Sequence, residues 1–330
     1  MKPIWKEALL AAILGLMLPG ILLNALVALD NEQAEAPAEY DGVQPQTGGT
    51  EPMEGNRLRI LFRDSDSVAE RDMDEYLVGV LLAEMPASFE EEAKKAQAVA
   101  ARTFALKAVV TGGKHGDGSV CGDSGCCQAY IAPEEYLARG GSADAVEQAR
   151  AAVEATSGYV LTYDGSLIEA TYFSCSGGST EDAVAVWGSD YPYLRAVESP
   201  GEEGAAHYTD TAYFTAEEFQ AALGTSLTGS PASWFGFTTY TAGGGVNTMR
   251  IGNRDYKGTE LRKLLGLRST AFTVSADGDG VSITTRGFGH RVGMSQYGAD
   301  AMAASGSDYR EILGYYYGGT TLTLWEPEEN

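Results

Sequence analysis

Ala8 to Leu29 reads ALLAAILGLMLPGILLNALVAL, twenty-two residues without a charge. As a helix rising ~1.5 Å per residue it would reach ~33 Å, enough to cross a bilayer core. Lys2 and Lys6 precede the run, whereas Asp30, Glu32, Glu35, Glu39 and Asp41 follow it. The positive-inside rule therefore puts the short N-terminal end in the cytoplasm and everything after Leu29 outside. Pro19-Gly20 interrupts the run, as in some cleaved signal peptides, but no Ala-x-Ala site stands where cleavage would fall. We therefore expect an uncleaved anchor over residues 1–29.

Residues 30–56 carry acids, Pro, Gly, Gln and Ala, with no Lys or Arg and almost no large aliphatics, the composition of a solvated acidic tether. Beyond it, a 330-residue chain with 44% apolar and 10% aromatic residues has ample material for a buried core. The 46 acids against 23 Lys and Arg leave a net charge of −23, which repels phosphate backbones and argues against nucleic acid as a partner. Four cysteines are too few for a disulfide scaffold.

Arg57 to Phe62 alternates as a strand, and Met73 to Met85 has helical apolar spacing that Pro86 must end. Ser88 and Glu91 form a capping-box pattern in front of an alanine-rich helix over about 89–110. A polar helix follows near 144–154. Asp164-Gly165 between two alternating runs is a hairpin signal, and Asp277-Gly-Asp-Gly280 separates another such pair. Thr215 opens a capped helix to Leu223, and Val246 to Leu267 reads as two strands and a short helix. Antiparallel hairpins mixed with separate helices predict an α+β ectodomain over 57–326, with a smaller lobe at about 207–268 beside a cleft.

His115, Cys121, Cys126 and Cys127 offer four metal-ligating side chains within thirteen residues, suited to a tetrahedral Cys₃His zinc site. A disulfide from Cys121 to Cys126 or Cys127 is the alternative outside a membrane, and the spacing alone leaves both open. Cys175 reads as a small buried residue.

Several segments together resemble the stage II sporulation protein D family: Tyr76-LVGVLLAEMPAS-Phe89, Lys95-AQAVAART-Phe104, Cys127-Gln-Ala-Tyr130, Ser176-GGS-Thr180, Leu265-GLRS-Thr270 and Gly289-HRVGMSQY-Gly298. The resemblance runs in unbroken order from about Leu58 to Leu324 and includes the N-terminal anchor. It implies a membrane-anchored lytic transglycosylase of endospore formers, cutting peptidoglycan glycan strands stripped of peptide stems during engulfment. It also implies an amidase partner of the stage II sporulation protein P type, a membrane scaffold of the stage II sporulation protein M type, and a zinc that supports structure. Relatives that do not sporulate are described as amidase enhancers, so a wall-binding enhancer is a second reading. A tether between the two membranes of an engulfing cell is a third.

The resemblance places the catalytic acid at Glu84. Its own surroundings suit that role, because Leu81, Leu82, Ala83, Met85 and Pro86 flank it and a helix C-terminus disfavours the ionised carboxyl. No second carboxylate stands out, whereas ordinary glycosidases use two. Lys95 and Arg102, two turns apart on one helix face and basic in the family too, are candidates for substrate positioning if the chain folds back at Pro86. His290, Ser295, Gln296 and Tyr297 occupy a glycine-flanked turn where polar groups converge, and Ser174, Ser176 and Gly177 are further candidates for the cleft wall. Two positions depart from the family pattern: Arg291 stands where glycine is usual, and Cys126 where a histidine precedes cysteine.

Overall fold

The computed structural model describes residues 57–62 and 67–325; the proposed anchor at 1–29 and tether at 30–56 lie outside the described residues. Among the described residues no helix is long and apolar enough to cross a membrane. The protein is a mixed α/β structure with mainly antiparallel sheets.

The N-terminal part is a helix pair on a small sheet. Strands β1 (Arg57–Phe62) and β2 (Ser67–Asp72) pair antiparallel, and β3 (Val120–Cys121) adds to β1 in parallel. Helix α1 (Met73–Glu84) starts at Asp72, whose side chain accepts from the Asp74 and Glu75 N–H groups. It stops at Glu84, two residues before Pro86, with Met85 as its C-cap.

Helix α2 (Glu91–Thr111) carries its alanines for a packing reason. It is the central helix, and its two sides fill two different cores. Ala93, Ala96, Val99 and Ala100 belong to one core, while Ala98, Ala101, Ala105 and Leu106 belong to the other. Small side chains let neighbouring elements approach on both sides. The expected Ser88–Glu91 capping box does not form: Glu90 is the N-cap and makes no side-chain cap. Its N–H is satisfied instead by Asp300, 2.7 Å away, so a residue distant in sequence caps the helix.

Helices α3 (Pro133–Ala138) and α4 (Ala143–Ala155) follow, and α4 packs on α1 and α2. The Asp164-Gly165 hairpin forms as expected: β4 (Tyr159–Tyr163) pairs with β5 (Ser166–Leu167), and both turn residues have positive φ. Strand β6 (Tyr172–Phe173) and helix α5 (Ala183–Trp187) lead to a third, separate core. That core is built on β7 (Thr209–Thr215), α6 (Ala216–Leu223), β8 (Phe235–Tyr240), β9 (Val246–Ile251), β10 (Arg254–Lys257), α7 (Gly258–Leu264), β11 (Phe272–Ala276) and β12 (Gly280–Arg286). Phe219, Trp234, Val246, Leu261, Val281 and Ile283 meet in it, so it extends past the expected limit of about 268 to include the last hairpin. Thr215 and Glu218 make the capping box that opens α6.

The chain then returns to the first core through β13 (Met294–Ser295), α8 (Gln296–Ala304), α9 (Tyr309–Tyr316) and β14 (Thr321–Leu324). Strand β13 pairs in parallel with β6, setting Met294 opposite Tyr172 and Ser295 opposite Phe173. This short pairing carries the late chain to the C-terminal end of α1.

Candidate active site and metal-ligand cluster

Glu84 is the last residue of α1, and its side chain is met from two distant parts of the chain. The backbone N–H of Ala129 donates to one carboxyl oxygen at 2.8 Å, and the side-chain amide of Gln296 donates to the other at 3.4 Å. The residue keeps some surface in solvent, yet protein atoms crowd the carboxyl group. Burial pushes its pKa above the usual carboxylate range, and the two donors pull it part of the way back. No other acid is among the causes of this shift. Among the described residues the carboxyl therefore stands without a carboxylate partner, poised to hold a proton at higher pH than a surface glutamate.

The Ala129 donor is held from behind. Tyr76 donates to Gln128 at 3.5 Å, and the Gln128 amide donates to the Ala101 carbonyl at 3.3 Å. Tyr130 stacks on Tyr76 with ring centroids 5.5 Å apart. Gly79 permits this approach, since a Cβ there would lie 2.4 Å from the Tyr130 ring. The Cys127-Gln-Ala-Tyr130 segment thus serves the acid, a role that its composition alone did not indicate. Tyr172 lies near Glu84, which contributes to the rise in the tyrosine's pKa after burial as the main cause. The Gln97 side chain lies against its buried hydroxyl and pulls that pKa part of the way back.

Of the residues expected around the acid, Gln296 touches it directly. Ser295 caps α8 through the Gly298 N–H, and Tyr297 packs edge-on against Phe89 at 4.9 Å while its N–H donates to the Ser174 carbonyl at 3.0 Å. Ser174 therefore contributes its backbone. His290 Nδ1 accepts from the Val292 N–H at 3.1 Å, and the ring lies 5.2 Å from Trp187 and 5.6 Å from Phe173. Burial first, then the positive charge of Arg262, push its pKa down to about 3, so it is a neutral imidazole at working pH.

Lys95 and Arg102 share a helix face but turn to other partners. Lys95 pairs with Glu91 at 2.6 Å and Glu92 at 2.7 Å. Arg102 is buried against Asp74 at the opposite end of α1 from Glu84, and donates to the Thr156, Tyr159 and Val153 carbonyls. The fold-back at Pro86 occurs, yet Arg102 docks the start of α1 while Lys95 pairs within its own helix.

Ser176 and Gly177 belong to a network centred on Glu202, a residue the sequence did not single out. Its carboxylate accepts from Cys175 Sγ, the Ser176 N–H and hydroxyl, the Gly177 N–H and the Ser199 hydroxyl. Gly177 has φ +71, and a Cβ there would lie 2.6 Å from the Arg286 backbone, so only glycine fits. Cys175 is fully buried, as expected, and burial near Glu202 raises its thiol pKa. Arg291, at φ +67, sits where glycine would be unstrained. Its guanidinium fixes the conformation by binding Glu181 at 3.0 Å and the Ser176, Ser179 and Gly243 carbonyls.

The four candidate metal ligands do converge: the ligand atoms of His115, Cys121, Cys126 and Cys127 all lie within 4.8 Å of one another. His115 Nε2 is 3.4 Å from Cys127 Sγ and 3.9 Å from Cys126 Sγ, and the two sulfurs are 4.0 Å apart. A tetrahedral ion with ~2.3 Å bonds to sulfur needs ligand atoms roughly 3.8 Å apart, so the donors fit one zinc-sized ion. All four cysteines are free thiols. Hydrogen bonding from Cys127 leads the lowering of the Cys121 thiol to about 4, and the same pairing pushes Cys127 up. One thiolate forms readily, and a second next to it calls for a cation.

A protein-family model described as "Stage II sporulation protein" (SpoIID) matches residues 63–163. The chain is 39% identical over 303 residues to "Stage II sporulation protein D" of Bacillus subtilis (strain 168), covering 89% of this chain and 88% of that protein. It is 39% identical over 285 residues to the protein of the same name from Bacillus amyloliquefaciens, covering 84% and 83%. The "Amidase enhancer" of Bacillus subtilis is 31% identical over 302 residues, which span 76% of this chain and 40% of that protein.

Proposed function

The chain belongs to the stage II sporulation protein D family, and from that membership we propose that it is a lytic transglycosylase of peptidoglycan glycan strands, acting in sporulation. The observation that carries the reading is the environment of Glu84: one desolvated carboxyl, two N–H donors and, among the described residues, no carboxylate partner.

Glu84 in its protonated form donates to the glycosidic oxygen as the C1–O bond breaks and oxocarbenium character grows at the muramyl C1. The resulting carboxylate is received by the Ala129 and Gln296 donors already in place. It then takes the proton of the muramyl 6-hydroxyl while that oxygen bonds to C1, giving a 1,6-anhydro ring and returning Glu84 to its starting state. A nucleophile within the substrate needs no second carboxylate to activate water, and its effective concentration is high. The lone acid therefore favours this reaction over hydrolysis.

Mass spectrometry of peptide-stripped strands after incubation with the protein tests the reading. Products lighter by one water than hydrolysed ones, absent with Glu84→Gln, are expected; products of hydrolytic mass would overturn it. The "Amidase enhancer" relative supports a second, non-catalytic reading, in which the strands are bound but stay intact and a wall amidase is stimulated.

Within the same proposal, residues 1–29 anchor the protein in the sporulating cell's membrane with its C-terminal part outside. Its partners there are an amidase of the stage II sporulation protein P type and a scaffold of the stage II sporulation protein M type. The Cys₃His cluster holds one zinc, whose four protein ligands leave no place for a catalytic water, so its part is to tie the loop carrying Ala129. Metal analysis should find about one zinc per chain, and chelation should lower the Tm; a metal-free protein of undiminished Tm would remove the zinc from this account.

A further inference from the structure

The turn that follows Glu84 is gripped by one helix at three points. Gln296 and Asp300 stand four residues apart on a single face of α8, with Tyr297 beside them. The Gln296 amide donates to the Glu84 carboxyl at 3.4 Å, the Tyr297 ring meets Phe89 edge-on at 4.9 Å, and the Asp300 carboxyl accepts the Glu90 N–H at 2.7 Å. The turn also closes on itself, through the Phe89 N–H on the Pro86 carbonyl at 3.1 Å. Lys94 of α2 ties its middle, donating to the Ala87 carbonyl and to the Gln148 side chain, both at 2.7 Å.

Helix α8 is itself closely seated. A Cβ at Gly298 would collide with the Ser199 and Tyr316 hydroxyls and lie 2.7 Å from the Glu202 carboxyl, and one at Gly201 would lie 2.8 Å from the Ala301 side chain. The Glu202 network is therefore the bed on which α8 rests. The grips that α8 makes on the turn are unequal. A hydrogen bond of 3.4 Å has little energy with which to hold its own geometry, so the place of Gln296 against Glu84 must come from stronger contacts between the same two elements. Asp300 makes such a contact, a short backbone N–H on a carboxylate, one helical turn from Gln296.

We propose that Asp300 is a positioning residue for the acid: by holding the Glu90 N–H it keeps the turn seated on α8 and the Gln296 amide on the Glu84 carboxyl. That Glu84 cleaves glycan rests on the reading given above, whereas the positioning needs no substrate and can be read without one. The bland alternative is that Asp300 only caps α2. Asp308 supplies the comparison, since its carboxylate caps α9 by accepting from the Arg310 and Glu311 N–H groups, both at 2.9 Å. A plain cap stabilises its helix and leaves Glu84 alone. A positioning residue also moves the proton equilibrium of Glu84, because withdrawal of the Gln296 donor disfavours the charged carboxylate. Loss of a nearby negative charge would move Glu84 the opposite way, so the sign separates the hydrogen bond of Asp300 from its field.

The test is a titration of Glu84 in full-length protein by carbon-13 NMR of the glutamate carboxyls, the Glu84 resonance being the one missing from Glu84→Gln. Gln296→Ala should move its midpoint upward by about half a pH unit, the worth of one weak donor to a carboxylate. Asp300→Ala should move it in the same direction, by as much or less, and should add nothing once Gln296 is alanine. Asp300→Asn keeps an acceptor for the Glu90 N–H and should restore the original midpoint. Asp308→Ala should lower the Tm and leave the midpoint in place. Glu90→Pro removes the same bond from the donor's side, at a residue whose φ of −63° and ψ of 151° proline adopts, and it carries the test if Asp300→Ala does not fold. An unmoved midpoint in Asp300→Ala and Glu90→Pro overturns the proposal. So does a shift that persists in full on top of Gln296→Ala, or an equal shift in Asp308→Ala. Cleavage of glycan strands by the unsubstituted protein is scored separately. A shift without cleavage defeats the transglycosylase and keeps the role of Asp300, and cleavage without a shift does the reverse.

Discussion

Glu84 and Glu202 are both enclosed carboxyls, and the protein treats them in opposite ways. Glu202 is 1% exposed and receives five donors at 2.5–3.2 Å, from Cys175, Ser176, Gly177 and Ser199. Its roughly four lone-pair sites are more than filled. Glu84 receives two donors, one of them at 3.4 Å. Burial alone thus does not make a chemical acid; the supply of hydrogen-bond donors decides it. Glu202 is a knot that fixes a loop, whereas Glu84 is left short of donors, and burial holds its proton to higher pH than on an ordinary glutamate.

The largest effect that separates the two should be on activity. Glu84→Gln retains the shape of the side chain and should lower kcat by roughly a hundredfold to ten-thousandfold, the usual contribution of a general acid. Glu202→Gln should act first on stability. It turns an acceptor toward a ring of donors and should cost about 2–4 kcal/mol in urea unfolding, with a smaller loss of kcat in the protein that remains folded. If Glu202→Gln matched Glu84→Gln in kcat at undiminished stability, the division between knot and acid would collapse.

The pH dependence sharpens the contrast. In the proposed role of general acid Glu84 works while protonated, so activity should be present below its raised folded pKa and lost as pH climbs through it. Gln296→Ala withdraws a donor that favours the charged form, so the alkaline limb of the kcat profile should move to higher pH, with a change of only a few-fold at the optimum. The smallest effect is thermodynamic. The folded state holds the Glu84 proton more tightly than the unfolded state, so this group's contribution to stability falls as pH rises between the two pKa values. Glu84→Gln removes that fall. Its Tm should exceed that of the unsubstituted protein at neutral pH and converge with it in acid.

Local chemistry was legible in the sequence wherever a short segment decides its own structure. The stop of α1 at Pro86, the Asp164-Gly165 turn and the Thr215 cap all follow from neighbours within a few residues. The four-ligand cluster was legible for the same reason, since thirteen residues contain it. Ser88 failed as a cap because Asp300, more than two hundred residues away, supplies the partner. Lys95 and Arg102 share a face as their spacing requires, but spacing does not say what that face meets, and it meets Asp74 and nearby glutamates. Glu202 and Ala129 carried no local signal, for their roles arise in packing: five donors gathered and one N–H aimed.

The contact between Glu84 and Gln296 joins residues 212 positions apart. During synthesis, the part of the chain that bears the acid is made well before the part that completes it. A nascent chain, or one truncated before β13, would present Glu84 without its side-chain donor and without the wall that β6 and β13 build together. Completion of the C-terminal part of the polypeptide is thus what finishes the surroundings of Glu84.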